Sequence, residues 1–185
     1  MDPDRVMPQV HRLRSTHRYL VVVACWLGML GVSALVPQPG ALRNILQLGH
    51  VLGLATSVGA VAVIDWHGLL WMGRKRDLRE TARIAAAVSP LIWAGLALLG
   101  VTGVLLKPDL GLPLVRLKMV AVLVLAVNGV AASETRQVLR NVPTGMAFAD
   151  GPRPLAARLV VSAFLSQLAW FTAIVVGLSS QATRS

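Results

Sequence analysis

The sequence predicts an all-α protein, a polytopic bundle of five transmembrane helices, and three observations lead to this fold class. Hydrophobic residues make up 55% of the 185 residues and charged residues only 14%, whereas a soluble domain carries about 25% charged residues. The apolar residues form five runs, each close to the roughly 20 residues that a membrane-spanning helix needs. Lysine and arginine fall mainly between these runs. The net charge of +10 therefore indicates membrane topology, and nucleic acid is not expected as a partner.

The five spans follow one another with short connections and belong to a single transmembrane domain, residues 19–179. They are predicted at about residues 19–36, 44–72, 84–106, 114–133 and 159–179. Residues 1–18 form a basic leader, and residues 180–185 form a short tail. The connection 134–158 is rich in proline and glycine, so it is expected to be irregular, with a short interfacial helix through residues 135–142.

The first apolar run could also belong to a cleaved signal peptide. It extends over 17 residues, 20–36, which is longer than the usual apolar core of such a peptide. The segment Pro37-Gln-Pro-Gly40 that follows is a poor cleavage site. We therefore expect the first span to be retained.

The basic residues are distributed asymmetrically between the two sides of the predicted bundle. The leader has four, the loop after the second span five and the loop after the fourth span four, which makes thirteen on one side. The other side has three, namely Arg43, Lys107 and Arg184. Under the positive-inside rule the thirteen face the cytoplasm. Five spans then place the N-terminus in the cytoplasm and the C-terminus outside a bacterial-type cytoplasmic (inner) membrane.

His50 is the first candidate for chemistry, because an ionisable side chain inside a span is costly. Gly49, Gly53 and Ser57 recur every four residues around it, so they share one helix face. Small residues on such a face admit another helix, a membrane partner or second copy of the chain, or a flat cofactor. The imidazole could ligate haem iron or a metal, or relay protons. The alternative is a histidine that only hydrogen-bonds a neighbouring helix.

Arg116 and Lys118 begin the fourth span at about the depth of His50. A cation beside His50 would bind a haem propionate or another anion, so both residues are candidate cofactor-binding residues. In the alternative interpretation, their long side chains extend to the lipid headgroups.

Asp65 and His67 lie near the cytoplasmic end of the second span. Asp65 is either an interfacial anchor, paired with the basic residues 74–76, or the partner of a cation on another helix, where it would gate a path. His67 lies seventeen positions from His50, about 25 Å along one helix, so the two histidines cannot share a metal ion.

Two uncharged amides, Asn128 and Gln167, lie deeper in the fourth and fifth spans. Such residues commonly make interhelical hydrogen bonds. Together with His50 and Asp65 they could instead form the polar track of a small transporter or channel.

Four segments carry a resemblance to a known family. They are Leu48-Gly-His50-Val-Leu-Gly53, Ser89-Pro90-Leu-Ile-Trp-Ala-Gly95 with Thr102-Gly103, Val115-Arg116-Leu-Lys118-Met-Val, and the last span. Over residues 44–179 the chain resembles the four-helix core of the CopD-type copper-resistance and HemJ-type protoporphyrinogen oxidase-like membrane proteins. The resemblance implies that His50 and Lys118 match the family's histidine and lysine, with haem or copper as the cofactor or cargo.

The chain departs from that pattern in one respect. HemJ-type proteins carry another histidine late in the lysine-containing span, where this chain has Ala126-Val-Asn128-Gly. The resemblance therefore supplies no second haem ligand. Motifs of soluble enzymes, such as a phosphate loop or HExxH, are absent from the sequence. Three hypotheses stay open, namely a haem- or metal-associated redox or copper-handling protein, a small transporter or channel, and a non-catalytic membrane partner subunit.

Overall fold

The computed structural model describes the backbone of residues 3–139 and 153–182 and the side chains of residues 16–136 and 153–179. This part of the chain is helical and contains no strand. The helices are α1 (Pro3–Leu35), α2 (Arg43–Met72), α3 (Leu78–Leu105), α4 (Pro113–Leu139) and α5 (Arg153–Ala182). A single 3-10 turn, Gly40–Leu42, leads into α2. All five helices are long and apolar enough to cross a membrane, which confirms the predicted fold class.

The helix ends differ from the predicted spans where charged residues extend a helix beyond its apolar run. Helix α3 begins six residues before the predicted span, because the carboxylate of Asp77 accepts a hydrogen bond from the Glu80 N–H at 2.7 Å and caps the first turn. Helix α4 continues to Leu139. The prediction of a separate interfacial helix is therefore wrong for residues 135–139, and residues 140–142 lie outside the described part of the chain. Residues 183–185 of the predicted tail do so too, whereas residues 180–182 belong to α5.

Two helical hairpins form the body of the bundle, and α1 packs beside them. Helices α2 and α3 form the first hairpin, α4 and α5 form the second, and α1 contacts both α3 and α4. The indole N–H of Trp26 on α1 donates a hydrogen bond to the Met119 carbonyl on α4 at 3.1 Å. A core of buried residues joins the two hairpins, made of Val61, Ala121, Leu125, Ala169 and Trp170.

The two hairpin helices α2 and α3 approach each other most closely at Gly53 and Gly95. A Cβ atom added to Gly53 would lie 2.9 Å from the Gly95 carbonyl oxygen, and one added to Gly95 would lie 2.7 Å from the Gly53 oxygen. Lipid gives little hydrophobic force between helices, so such close backbone packing carries the association. One turn further, the Ser57 hydroxyl donates to the Ile92 carbonyl at 3.2 Å.

This close packing corrects one prediction. The face of Gly49 and Gly53 was expected to admit another helix or a flat cofactor, and it was also a candidate docking surface for a second copy or a partner protein. In the structure α3 of the same chain covers it, with Gly53 and Ser57 buried. Cys25 on α1 is exposed, although a cysteine inside an apolar run is commonly buried.

The alternating helices give the bundle two ends. We call the end that carries the α2–α3 connection, residues 73–77, the basic end. We call the end that carries the connections 36–42 and 106–112 the opposite end. Helix α2 runs from the opposite end to the basic end, so His50 lies in the opposite half and Asp65 in the basic half.

Candidate functional site at His50

His50 projects from α2 against α3, where a glycine leaves room for its ring. A Cβ atom added to Gly103 would lie 3.5 Å from Cε1 of His50. His50 is half-buried. The ring is thus held in the wall of the bundle, between the α2 and α3 backbones.

Thr102 fixes which ring nitrogen of His50 carries the proton. The Thr102 hydroxyl donates its only proton to the Leu98 carbonyl on its own helix at 2.6 Å. The same oxygen lies 2.9 Å from Nδ1 of His50, so it must accept there and Nδ1 must donate. The remaining nitrogen, Nε2, then carries the lone pair.

The two cations at the start of α4 lie in different surroundings. Lys118 is half-buried, and its ammonium group lies close enough to His50 for its charge to act on the ring. Arg116 is exposed on the same helix, one position after buried Val115. The structure therefore brings Lys118 toward His50 and leaves Arg116 at the surface of the bundle.

The described side chains contain no cluster of three or more histidine, cysteine, aspartate or glutamate groups that could hold a metal ion. His67, the second histidine of α2, lies in the basic half. Its Nδ1 donates to the Val63 carbonyl of the same helix at 2.8 Å. The two histidines thus share a tautomer and differ in their neighbours.

Asp65 pairs with neither of the partners considered from the sequence. Its carboxylate accepts a hydrogen bond from the Gln167 side-chain amide on α5. The contact joins the two hairpins in the basic half. A cation on another helix is therefore not its partner, and neither are the basic residues of the α2–α3 connection.

Asn128 makes the interhelical contact expected of a buried amide. Its Nδ2 donates to the Ser162 carbonyl at 2.8 Å, and its Oδ1 accepts from the Ser162 hydroxyl at 2.9 Å. Both ends of the amide are thus used to join α4 to α5.

Two polar residues of the site and its surroundings, Thr102 and Glu134, were not predicted from the sequence. Thr102 was noted only as part of a family motif. A threonine inside a span has a hydroxyl that can hydrogen-bond a histidine on a neighbouring helix, and the adjacent glycine leaves room for the histidine ring. Glu134 was taken as the start of a loop. Instead it lies within α4, where it accepts from the Tyr19 hydroxyl at 3.2 Å and lies 3.9 Å from the Arg158 guanidinium.

Comparisons of the chain with protein-family models, with curated proteins and with solved structures find no match.

Proposed function

We propose that this integral membrane protein is a haem-associated redox protein in which Nε2 of His50 would ligate the haem iron. The observation that carries the proposal is the hydrogen bond from Nδ1 of His50 to Thr102. A histidine that ligates a metal usually donates its other N–H to a fixed acceptor, which sets the tautomer and the ring orientation. His50 is arranged in this way inside a transmembrane span.

The donor set favours haem over a copper ion bound by side chains alone. A bare metal ion needs several protein ligands, and the described residues offer no such group near His50. Haem brings four nitrogen ligands of its own and takes one or two axial ligands from the protein. When bound, it supplies one-electron redox chemistry. A single well-oriented histidine therefore fits haem, and copper handling is the less favoured form of the proposal.

Lys118 completes the proposed site, whereas Arg116 is exposed at the surface of the bundle. Haem carries propionate groups, and a half-buried lysine near the histidine would provide positive charge to bind one of them. The proximity of Lys118 to His50 supports this role. We also propose that the likeness to the CopD-type and HemJ-type core reflects this arrangement, with His50 facing the outer half of a cytoplasmic membrane and the N-terminus in the cytoplasm.

The transporter hypothesis is less favoured, because its polar residues are engaged elsewhere. Asp65 is bonded to Gln167, and Asn128 is bonded to Ser162. His50 lies fifteen positions from Asp65, about 22 Å along α2. These contacts do not form a continuous path from His50 to the basic half.

Haemin titration of the detergent-purified full chain tests the proposal. We expect a Soret band that saturates at one haem per chain, with His50→Ala abolishing it or weakening haemin binding by about a hundredfold, since the only proposed protein ligand is lost. Metal analysis of the protein before titration distinguishes haem iron from copper. Size-exclusion chromatography establishes that each variant is folded.

His67→Ala is the matched control, because His67 lies on the same helix with the same tautomer. It should bind haemin as the wild type does. Equal haemin binding by wild type and His50→Ala would overturn the proposal, and so would a folded wild-type protein that takes up no haemin.

A further inference from the structure

A groove of about 510 Å³ lies at the opposite end of the bundle. Its walls come from the end of α1, the first residue of α2 and the α3–α4 connection, and none of the residues proposed to bind haem lines it. The volume lies within the range of about 300–1,000 Å³ that is typical of small-molecule sites. The groove therefore has room for a ligand of the size of a lipid headgroup.

The charge in this groove is predominantly positive. Arg43 and Lys107 both line it, and both are half-buried. These are the two basic residues that the sequence places in the connections of this end. In the described part of the chain neither has an ion-pair partner within 4.0 Å. The acidic lining residue, Asp109, uses one carboxylate oxygen to accept from the Gly111 N–H at 2.9 Å.

The position of Arg43 adds to this positive potential. It is the first residue of α2, and the first turn of that helix contains no acidic residue. The preceding Leu42 provides no side-chain cap. A cation at the positive end of a helix dipole is unfavourable without an anion nearby. A bound anion would offset both the dipole and the two unpaired cations.

The groove also lies where a headgroup would be found. The last residue of α1 and the first of α2 mark the end of two membrane-spanning helices, which is the level of the lipid headgroups. Leu35 and Leu42 adjoin the lining residues in sequence and are 85% and 61% exposed. Such residues offer apolar surface to acyl chains, whereas exposed Gln38 offers a polar side chain to the headgroup.

We infer that this groove binds a phosphoryl group, with Arg43 and Lys107 donating to its oxygens. The ligand class is a glycerophosphoryl compound, carried either by an anionic phospholipid or by a soluble phosphate ester. The inference depends on the five-span bundle and is independent of the haem proposal, because the two sites share no residue.

Native mass spectrometry of the full chain in detergent, titrated with phosphatidylglycerol, tests this inference. The wild type should bind one lipid tightly. The double variant Arg43→Gln/Lys107→Gln should bind it about tenfold more weakly or worse, because two charge-assisted hydrogen bonds are lost.

The matched control is Arg74→Gln/Lys75→Gln at the basic end. It removes the same charge, and Arg74 has the same left-handed backbone conformation as Lys107, with φ of 58° and 52°. This control should retain wild-type binding. Equal binding by the groove variant and the wild type would overturn the inference, as would the absence of tight binding to the wild type.

A competition arm distinguishes the two sources of the phosphoryl group. Glycerol 3-phosphate added at increasing concentration should displace phosphatidylglycerol if the groove accepts soluble phosphate esters. If the groove binds only the lipid, glycerol 3-phosphate should not displace phosphatidylglycerol, because the acyl chains contribute to lipid binding. Either result supports the inference and assigns its ligand.

Discussion

The two halves of the bundle use polar side chains in different ways. In the basic half, Asn128 uses both ends of its amide on Ser162, and Asp65 is bonded to Gln167. In the opposite half, His50 bonds Thr102 through Nδ1. The amide contacts of the basic half pair two side chains across helices, whereas the His50 contact fixes the direction of an imidazole ring.

This difference separates two kinds of intramembrane polarity. A polar side chain that is fully paired across helices contributes modestly to association, about 0.6 kcal/mol for an average hydrogen bond in a membrane protein. A histidine fixed at one nitrogen is prepared for a ligand at the other. Polar residues of the first kind should therefore affect stability, and those of the second kind should affect binding.

The largest expected effect is on the helix pair that positions His50. In Gly95→Val the added side chain would meet the Ser57 hydroxyl and the backbones of Gly53 and Ser57, and backbone atoms cannot move aside as a side-chain end can. We expect a loss of about 3 kcal/mol in the free energy of unfolding, measured by titration with sodium dodecyl sulfate in mixed micelles.

Gly59→Val is its control, because no heavy atom lies within 4 Å of a Cβ atom at that position. It should change stability by less than about 0.5 kcal/mol. Similar losses in the two variants would show that the close contact between α2 and α3 is not what holds the hairpin together.

The second largest expected effect is on haemin binding when the Thr102 hydroxyl is removed. Thr102→Val keeps the shape of the side chain and removes the acceptor of the His50 Nδ1–H. Haemin binding should weaken by about tenfold or more, as is typical when a group that orients a metal-ligating histidine is lost. The measurement is haemin titration followed at the Soret band.

Thr102→Ser should restore most of this affinity because the hydroxyl returns. Ser57→Ala removes a different hydroxyl between the same two helices and should leave haemin affinity unchanged. If Thr102→Val binds haemin like the wild type, the hydrogen bond from His50 to Thr102 does not contribute to haem binding.

The smallest expected effect lies in the basic half. Asn128→Leu removes two hydrogen bonds to Ser162, so the free energy of unfolding should fall by about 1 kcal/mol. Haemin affinity should not change. A double-mutant cycle with Ser162→Ala, read by the same unfolding titration, isolates the contact between the two side chains. If Asn128→Leu is folded but no longer binds haemin, the two halves do not differ in the way proposed.

Much of the fold could be predicted from hydropathy because a bilayer demands it. Backbone polar groups have no water to bond in the hydrocarbon core, so an apolar run of sufficient length must become a helix. The five spans follow from this requirement. Helix ends do not, because Asp77 extends α3 and a charged segment around Glu134 extends α4 beyond their apolar runs.

The candidate site could be predicted only in its residue types and approximate depth. His50 and Lys118 were identifiable because ionisable groups are rare inside spans and helix rise gives their depth. The face of Gly49 and Gly53 signalled close packing correctly, but the periodicity of small residues is the same whether the neighbour is a partner, a cofactor or the next helix of the chain. The structure shows the next helix.

The sequence by itself determined the membrane location, the number of spans and the placement of one histidine within a span, since each depends on local composition and helix geometry. Only the tertiary structure decided which nitrogen of His50 carries the proton, that Asp65 pairs with Gln167 and that Arg43 lies beside the α3–α4 connection with Lys107. These facts depend on contacts between residues far apart in the chain. Such contacts are set by how helices pack and rotate against one another, and no local pattern specifies them.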